Sequence, residues 1–129
     1  MTAAVEQAAS GWIGSATASR PLATASIADL AQAAARVVAD PPAEELWELR
    51  GPAWTYEELA RILSGLLGRP VAHRDVPVAD AGPFGPLHAA AAAGVLAHET
   101  DDLRRLLGRA PRRVEAVAAS VVEDIDGHL

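Results

Sequence analysis

The sequence predicts an α/β (α+β-like) fold: a small sheet of two or three strands built on a βαβ unit and packed by about five helices. Three observations carry this. Residues 46–49 and 71–76 read as short strands, the first by its alternation of apolar and polar side chains. Between them, residues 55–67 repeat apolar side chains at helical spacing. Proline and glycine mark the joints, so each periodic segment has a readable start and stop.

Residues 1–20 are small and polar and are expected to form an N-terminal arm, helical over 2–9 and loop beyond, anchored by Trp12 and Ile13. Residues 21–122 make one domain, and 123–129 a frayed tail. Ser26 opens the first clear helix, with Asp29 standing in for Glu in a capping box. Ile27, Leu30, Ala31, Ala34 and Val38 then fall on one face, expected to be buried. Asp40-Pro41-Pro42 ends it, because a residue before proline avoids helical angles.

The strand at 46–49 is closed by Gly51-Pro52. Thr55 and Glu58 form a capping box for the second helix, whose stripe is Leu59, Ile62, Leu63, Leu66 and Leu67. Gly68 is placed for the left-handed residue after it. The strand at 71–76 completes the βαβ unit in about thirty residues, parallel to the first by a right-handed crossover. A Pro- and Gly-rich loop over 77–86 leads to a third helix at 87–96, interrupted by Gly94. Thr100 caps a fourth, with Leu103, Leu106 and Leu107 inward and Gly108 at its end. Pro111 sits in the first turn of a last helix, with Val114, Val117, Ala118 and Val121 as its stripe.

Composition narrows the function. The 129 residues suit one domain, which at this size buries roughly two-thirds of its unfolded surface. There is no cysteine, which excludes disulfides, thiolate nucleophiles and Cys-ligated zinc. All eleven basic residues are Arg, so a lysine Schiff base is excluded, and the Ala, Gly and Arg bias points to a GC-rich, actinobacterium-like host. A net charge of -6 argues against nucleic-acid binding. No segment approaches the roughly 20 apolar residues that span a bilayer, and no basic leader precedes an apolar run, so a cytoplasmic protein is expected.

Residues 46–77 (LWELRGPAWTYEELARILSGLLGRPVAHRDVP) resemble the C-terminal region of NmrA-like atypical short-chain dehydrogenases. The resemblance spans roughly residues 20–120. It rests on Ser26-Ile27-Ala28-Asp29-Leu30-Ala31, Leu49-Arg50-Gly51-Pro52, Tyr56-Glu57-Glu58-Leu59-Ala60, Leu67-Gly68-Arg69-Pro70-Val71 and the run TDDLRRLLGRAP at 100–111. That family includes NAD(P)H-quinone oxidoreductases and cofactor-sensing regulators. Its enzymes carry an N-terminal Rossmann half whose Gly-rich turn binds pyrophosphate. Here the only early glycines, Gly11 and Gly14, follow no predicted strand and lack a third. The resemblance therefore implies a truncated substrate lobe, with no cofactor site and no ordinary NAD(P)-dependent oxidoreductase activity.

The candidate chemistry lies in four groups. His73 and Asp75, two apart on a strand, share a face, so the Asp can orient the His as an acid/base pair; a solvated face is the alternative. Asp80, Phe84 and His88 come from the region that lines the substrate pocket in the resembling enzymes, and otherwise form an ordinary polar loop. Trp47, Trp54 and Tyr56, with Phe84, either stack on a flat ligand or pack in the core. His98 and His128 carry no weight, no two histidines lie at i, i+4, and no metal site is expected. There is no Ser-centred nucleophile elbow.

Two functions follow as expectations. One is cofactor-independent binding of a hydrophobic, polycyclic or quinone-like small molecule, with non-redox cyclase, isomerase or dehydratase chemistry in specialised metabolism. The other is a non-catalytic interaction or regulatory module, forming a homodimer or completing a partner chain through an exposed sheet. Neither calls for nucleic acid or a membrane.

Overall fold

The computed structural model describes residues 1–43 and 46–127, and the α/β class stands. In chain order the described elements are α1 (Thr2–Ala8), β1 (Trp12–Ser15), β2 (Leu22–Ala23), α2 (Ile27–Ala39), β3 (Ala53–Trp54) and α3 (Tyr56–Leu67). Then come β4 (Ala72–Asp75), a pair of 3-10 turns over Val78–Phe84, α4 (Gly85–Ala92), α5 (Asp102–Leu107) and α6 (Val114–Asp126). β1 pairs in parallel with β4, and β2 pairs antiparallel with β3 in a separate two-stranded sheet.

The parallel pair exists, but its first strand is not the expected one. Residues 46–49 have no strand pairing. The backbone groups of Glu48 go to side chains at the start of α5: Asp102 Oδ2 accepts from its amide at 3.0 Å, and the Thr100 hydroxyl donates to its carbonyl. Glu48 thus has partners for both backbone groups without a neighbouring strand. Trp47 and Leu49 pack against Ala33, Leu103, Leu106 and Leu107, the core between α2 and α5.

The strand that does pair with β4 lies in the segment expected to be a loop. Ile13 and Ser15 point inward from β1, and Val5 and Ala8 of α1 join Ile13 in the main core. Gln7 Oε1 accepts from the Gly14 amide at 3.0 Å and fastens α1 to β1. Through these contacts α1 and β1 join the main core and the parallel pair. Four residues with one glycine and one serine give no β-branched run, which is why periodicity missed them.

α3 forms as its sequence predicts. Thr55 Oγ1 accepts from the Glu58 amide, Glu58 Oε2 accepts from the Thr55 amide, and Gly68 ends the helix at φ +64°. Leu59 and Leu63 are fully buried against Ile13, Val71, Val114, Ala118 and Val122; Ile62 and Leu67 are partly buried, and Leu66 is exposed. Burying such a leucine is worth about 1.5–3 kcal/mol.

α2 reverses its expected face. The stripe of Ile27, Leu30, Ala31, Ala34 and Val38 is exposed, Ile27 at 87% and Val38 at 81%, while Asp29 and Ala33 are buried. Asp29 explains the rotation. Ser26 Oγ accepts from its amide at 3.0 Å, but its carboxylate does not return to the cap. Instead Oδ1 accepts from Arg109 Nη2 at 2.6 Å and Oδ2 from the Arg112 amide at 2.7 Å. Burial alone would raise its pKa; the Arg112 amide, the Arg109 guanidinium and the Ser26 hydroxyl outweigh that and hold it below its ordinary value.

The remaining shifts are small. α4 starts two residues early and ends before Gly94, which takes φ +82°. The N-cap position of α5 is Asp101 rather than Thr100, with no side-chain cap bond, and α6 starts at Val114, beyond Pro111. Glu123, Asp124, Ile125 and Asp126, expected in the frayed tail, belong to α6; His128 lies outside the described residues.

Candidate functional site

α1, the start of α2, β2, β3 and α6 surround a cavity of about 460 Å³, within the size range of small-molecule sites. Its walls are mainly apolar, with Leu22, Trp54, Tyr56, Phe84, Leu87 and Val121 among them. The polar lining includes Thr24, Ser26 and Arg112.

The short β3 delivers Trp54 to this wall, and the Thr55 cap turns the chain so that Tyr56 follows in the first turn of α3. Trp54 Nε1 donates to Thr24 Oγ1 at 2.7 Å, which fixes the indole across the β2–β3 pair. The two rings lie 5.2 Å apart at 53°, a tilted aromatic contact. Gly51, just before β3, must be glycine, since a Cβ there would collide with the Thr24 carbonyl.

Behind Tyr56 sits His88 of α4, buried at 5% exposure. Its Nδ1 accepts from the Ala16 amide at 2.9 Å, and its Nε2 lies 3.2 Å from Tyr56 Oη. The rings are 5.2 Å apart at 47°. Burial pushes the Tyr56 hydroxyl pKa up and the His88 imidazole pKa down, so both are neutral near neutral pH.

A second polar cluster joins β1, β4 and α3. Ser15 Oγ lies 2.7 Å from His73 Nε2, His73 Nδ1 faces Glu57 Oε1 at 3.5 Å, and Glu57 Oε1 accepts from Ser19 Oγ at 2.6 Å. The order Ser–His–carboxylate is that of a nucleophilic relay. Yet Ser15 is fully buried and also within 3.3 Å of Thr17, so no substrate carbon can reach its hydroxyl. The cluster ties the parallel strands to α3. Burial would raise the Glu57 pKa, but the Ser19 hydroxyl, its own amide and His73 lower it overall.

Of the residues singled out from the sequence, Trp54, Tyr56 and Phe84 line the cavity and His88 backs it. His73 is held by Ser15 and faces Glu57 rather than pairing with Asp75, which is exposed at the end of β4. Asp80 is exposed on the 3-10 turns and is not part of the cavity wall. Trp47 is part of the α2–α5 core, with the Arg105 guanidinium 5.0 Å above its ring. Sequence reading missed Leu22, Thr24 and Leu87, and did not show that Val117 and Val121 of the α6 stripe also line the cavity, Val121 while packing against the main core. Helical spacing identifies an apolar face without showing whether protein or ligand covers it.

Solved structures share this architecture. The chain is similar to an NADPH-dependent quinone oxidoreductase from Escherichia coli at 28% identity and TM-score 0.77, covering 95% of this chain and 48% of that one. It is similar to a triphenylmethane reductase from Citrobacter sp. at 27% identity and TM-score 0.79, covering 94% and 46%. A nucleoside-diphosphate-sugar epimerase from Staphylococcus aureus, at 19% identity and TM-score 0.76, shares the fold over 92% and 47%. These neighbours are of the NmrA-like, atypical short-chain dehydrogenase type. The chain spans about half the length of each. Neither a family model nor a curated protein matches the sequence.

NADPH is the cofactor these likenesses bring into question. Pyrophosphate binding in such folds needs a strand leading through a glycine-rich turn into a helix N-terminus. β1 leads into β2, and β4 into the 3-10 turns. β2 enters α2 through Thr24-Ala25-Ser26, a junction with no glycine and with Asp29 in the first turn, and β3 enters α3 through Thr55, with Glu57 and Glu58 in its first turn to repel phosphate. The described residues do not fit the pyrophosphate group.

Proposed function

We propose that this chain is a substrate-binding lobe whose cavity takes a flat, hydrophobic, quinone-like small molecule. The single observation that carries the reading is the apolar cavity of about 460 Å³ walled by Trp54, Tyr56 and Phe84. The quinone and dye reductases among the similar structures support an aromatic ligand. Since no pyrophosphate cradle fits the described residues, the chemistry proposed for the lobe alone is non-redox. It is an isomerisation, cyclisation or dehydration run by positioning and polar contacts, in specialised metabolism. His73, Asp75 and Asp80 are not assigned to it, because none lines the cavity.

The test is a titration of intrinsic tryptophan fluorescence with 2-methyl-1,4-naphthoquinone, on the wild type and Trp54→Phe. Saturable quenching that is largely lost in the variant is expected, since Trp12 and Trp47 lie outside the cavity wall. Quenching that never saturates, or that Trp54→Phe leaves unchanged, removes the reading. A parallel NADPH titration of the isolated chain is expected to show no tight binding, and micromolar affinity overturns the cofactor-free part.

A second reading is favoured by one observation, the exposed apolar face of α2. In it the chain is an interaction module: a second copy or a nucleotide-binding partner covers Ile27 and Val38 and supplies what the lobe lacks. Native mass spectrometry decides it. A defined assembly that Val38→Asp dissociates supports the module; a monomer at all concentrations removes the homodimer.

A further inference from the structure

We infer that Tyr56 is the group that reads a carbonyl oxygen on the ligand, donating its hydroxyl proton to it, and that His88 is the positioning residue that leaves that proton free. The inference rests on the cavity reading above and names what distinguishes one flat ligand from another.

The argument is an assignment of hydrogens. The Ala16 amide donates to His88 Nδ1 at 2.9 Å, and an imidazole nitrogen that accepts carries no proton. In the neutral ring the proton is therefore on Nε2, which lies 3.2 Å from Tyr56 Oη. Nε2–H donates, Tyr56 Oη accepts, and the phenolic proton cannot return along the same line. His88 is the hydroxyl's one hydrogen-bond partner among the described residues. Tyr56 lines the cavity, so a ligand there can supply the acceptor for that proton.

The consequence is a polarity. The Thr24 and Ser26 hydroxyls in the wall each already accept one bond, from the Trp54 N–H and the Asp29 amide, and each keeps its proton to give, but neither is oriented by a buried ring. The Trp54 N–H is already used on Thr24. Tyr56 is a donor whose direction is set from behind by a buried ring, itself set by a backbone amide. Such a group favours a neutral carbonyl over a hydrocarbon of the same outline, and over a cation, which offers it no lone pair. Burial acts in the same sense, since it keeps His88 unprotonated and Tyr56 protonated.

The experiment compares two probes of one shape, 2-methyl-1,4-naphthoquinone and 2-methylnaphthalene, on the wild type and Tyr56→Phe. A neutral hydrogen bond of ordinary net strength changes affinity by roughly 2- to 10-fold. Tyr56→Phe should weaken the quinone by that factor and leave the hydrocarbon unchanged. Nitrogen NMR of the His88 ring in the wild type, which needs no ligand, should show an unprotonated Nδ1 and a protonated Nε2. Equal weakening of both probes, weakening of neither, or an Nδ1–H ring overturns this inference and leaves the cavity reading standing. Failure of both probes to bind the wild type overturns the two together.

Discussion

α2 and α3 look alike in the sequence and are used in opposite ways. Both run for about three turns, both start at a hydroxyl cap, and both carry an apolar stripe at helical spacing. α3 puts Leu59 and Leu63 at zero exposure against β1, β4 and α6. α2 turns Ile27 and Val38 to the outside and buries a carboxylate instead. The comparison separates two things that periodicity merges: whether a helix has an apolar face, and whether this chain covers it. In α2 the buried positions are Ala33 and Asp29, the latter held by the Arg109 guanidinium and the Arg112 amide.

The largest effect should come from breaking α3. Leu63→Ala removes a fully buried side chain and is expected to cost about 2–5 kcal/mol, read as a lower urea midpoint. Val38→Ser on α2 should stay within about 0.5 kcal/mol for the isolated chain, because the side chain is already in water. A large loss from Val38→Ser in a chain shown to be monomeric would contradict the exposed face. The same loss confined to an assembled form would mean that α2 is covered by a second body.

Next in size is the ion pair that turns α2. Removing one partner of a buried pair costs about 3–5 kcal/mol when the other is left stranded. Here Arg109 is 39% exposed and Arg112 52% exposed, so both regain water, and Asp29→Asn should cost nearer 1–3 kcal/mol. The pH dependence has a definite sign. The folded pKa of Asp29 lies below its ordinary value of 3.8, so its contribution is complete above that value and is lost as pH falls through the folded pKa. Urea midpoints should fall less on acidification in Asp29→Asn than in the wild type, and parallel curves would show that the pair does not hold α2.

The same comparison explains what the sequence could and could not show. Thr55, Glu58 and Gly68 announce α3 because caps are local: the residues that satisfy the helix end are three or four positions away. Tyr56 and Trp54 reached the candidate site on chemistry alone, as aromatic side chains beside a cap. Asp29 was read as a local cap residue because its real partners, Arg109 and Arg112, are 80 or more residues away. His73 likewise seemed paired with Asp75, two residues on, while Glu57 approached it from another element. β1 was lost because its partner is β4, which no pattern within residues 12–15 can reveal.

The smallest effect tests how far the two helices are still alike. Ser26 Oγ accepts from the Asp29 amide at 3.0 Å, and Thr55 Oγ1 accepts from the Glu58 amide at 3.2 Å. Each satisfies one helix-end donor, and neither bond depends on which face of the helix is covered. Ser26→Ala and Thr55→Ala should therefore each cost about 1 kcal/mol, by the same urea measurement that sets Leu63→Ala and Val38→Ser far apart. Thr55→Ala should be slightly the larger, since only α3 has the returning Glu58 carboxylate that relies on the cap geometry. A Ser26→Ala cost well above that of Thr55→Ala would mean that the Ser26 hydroxyl supports the Asp29 carboxylate as well as its amide. The reversal of α2 would then begin at its cap.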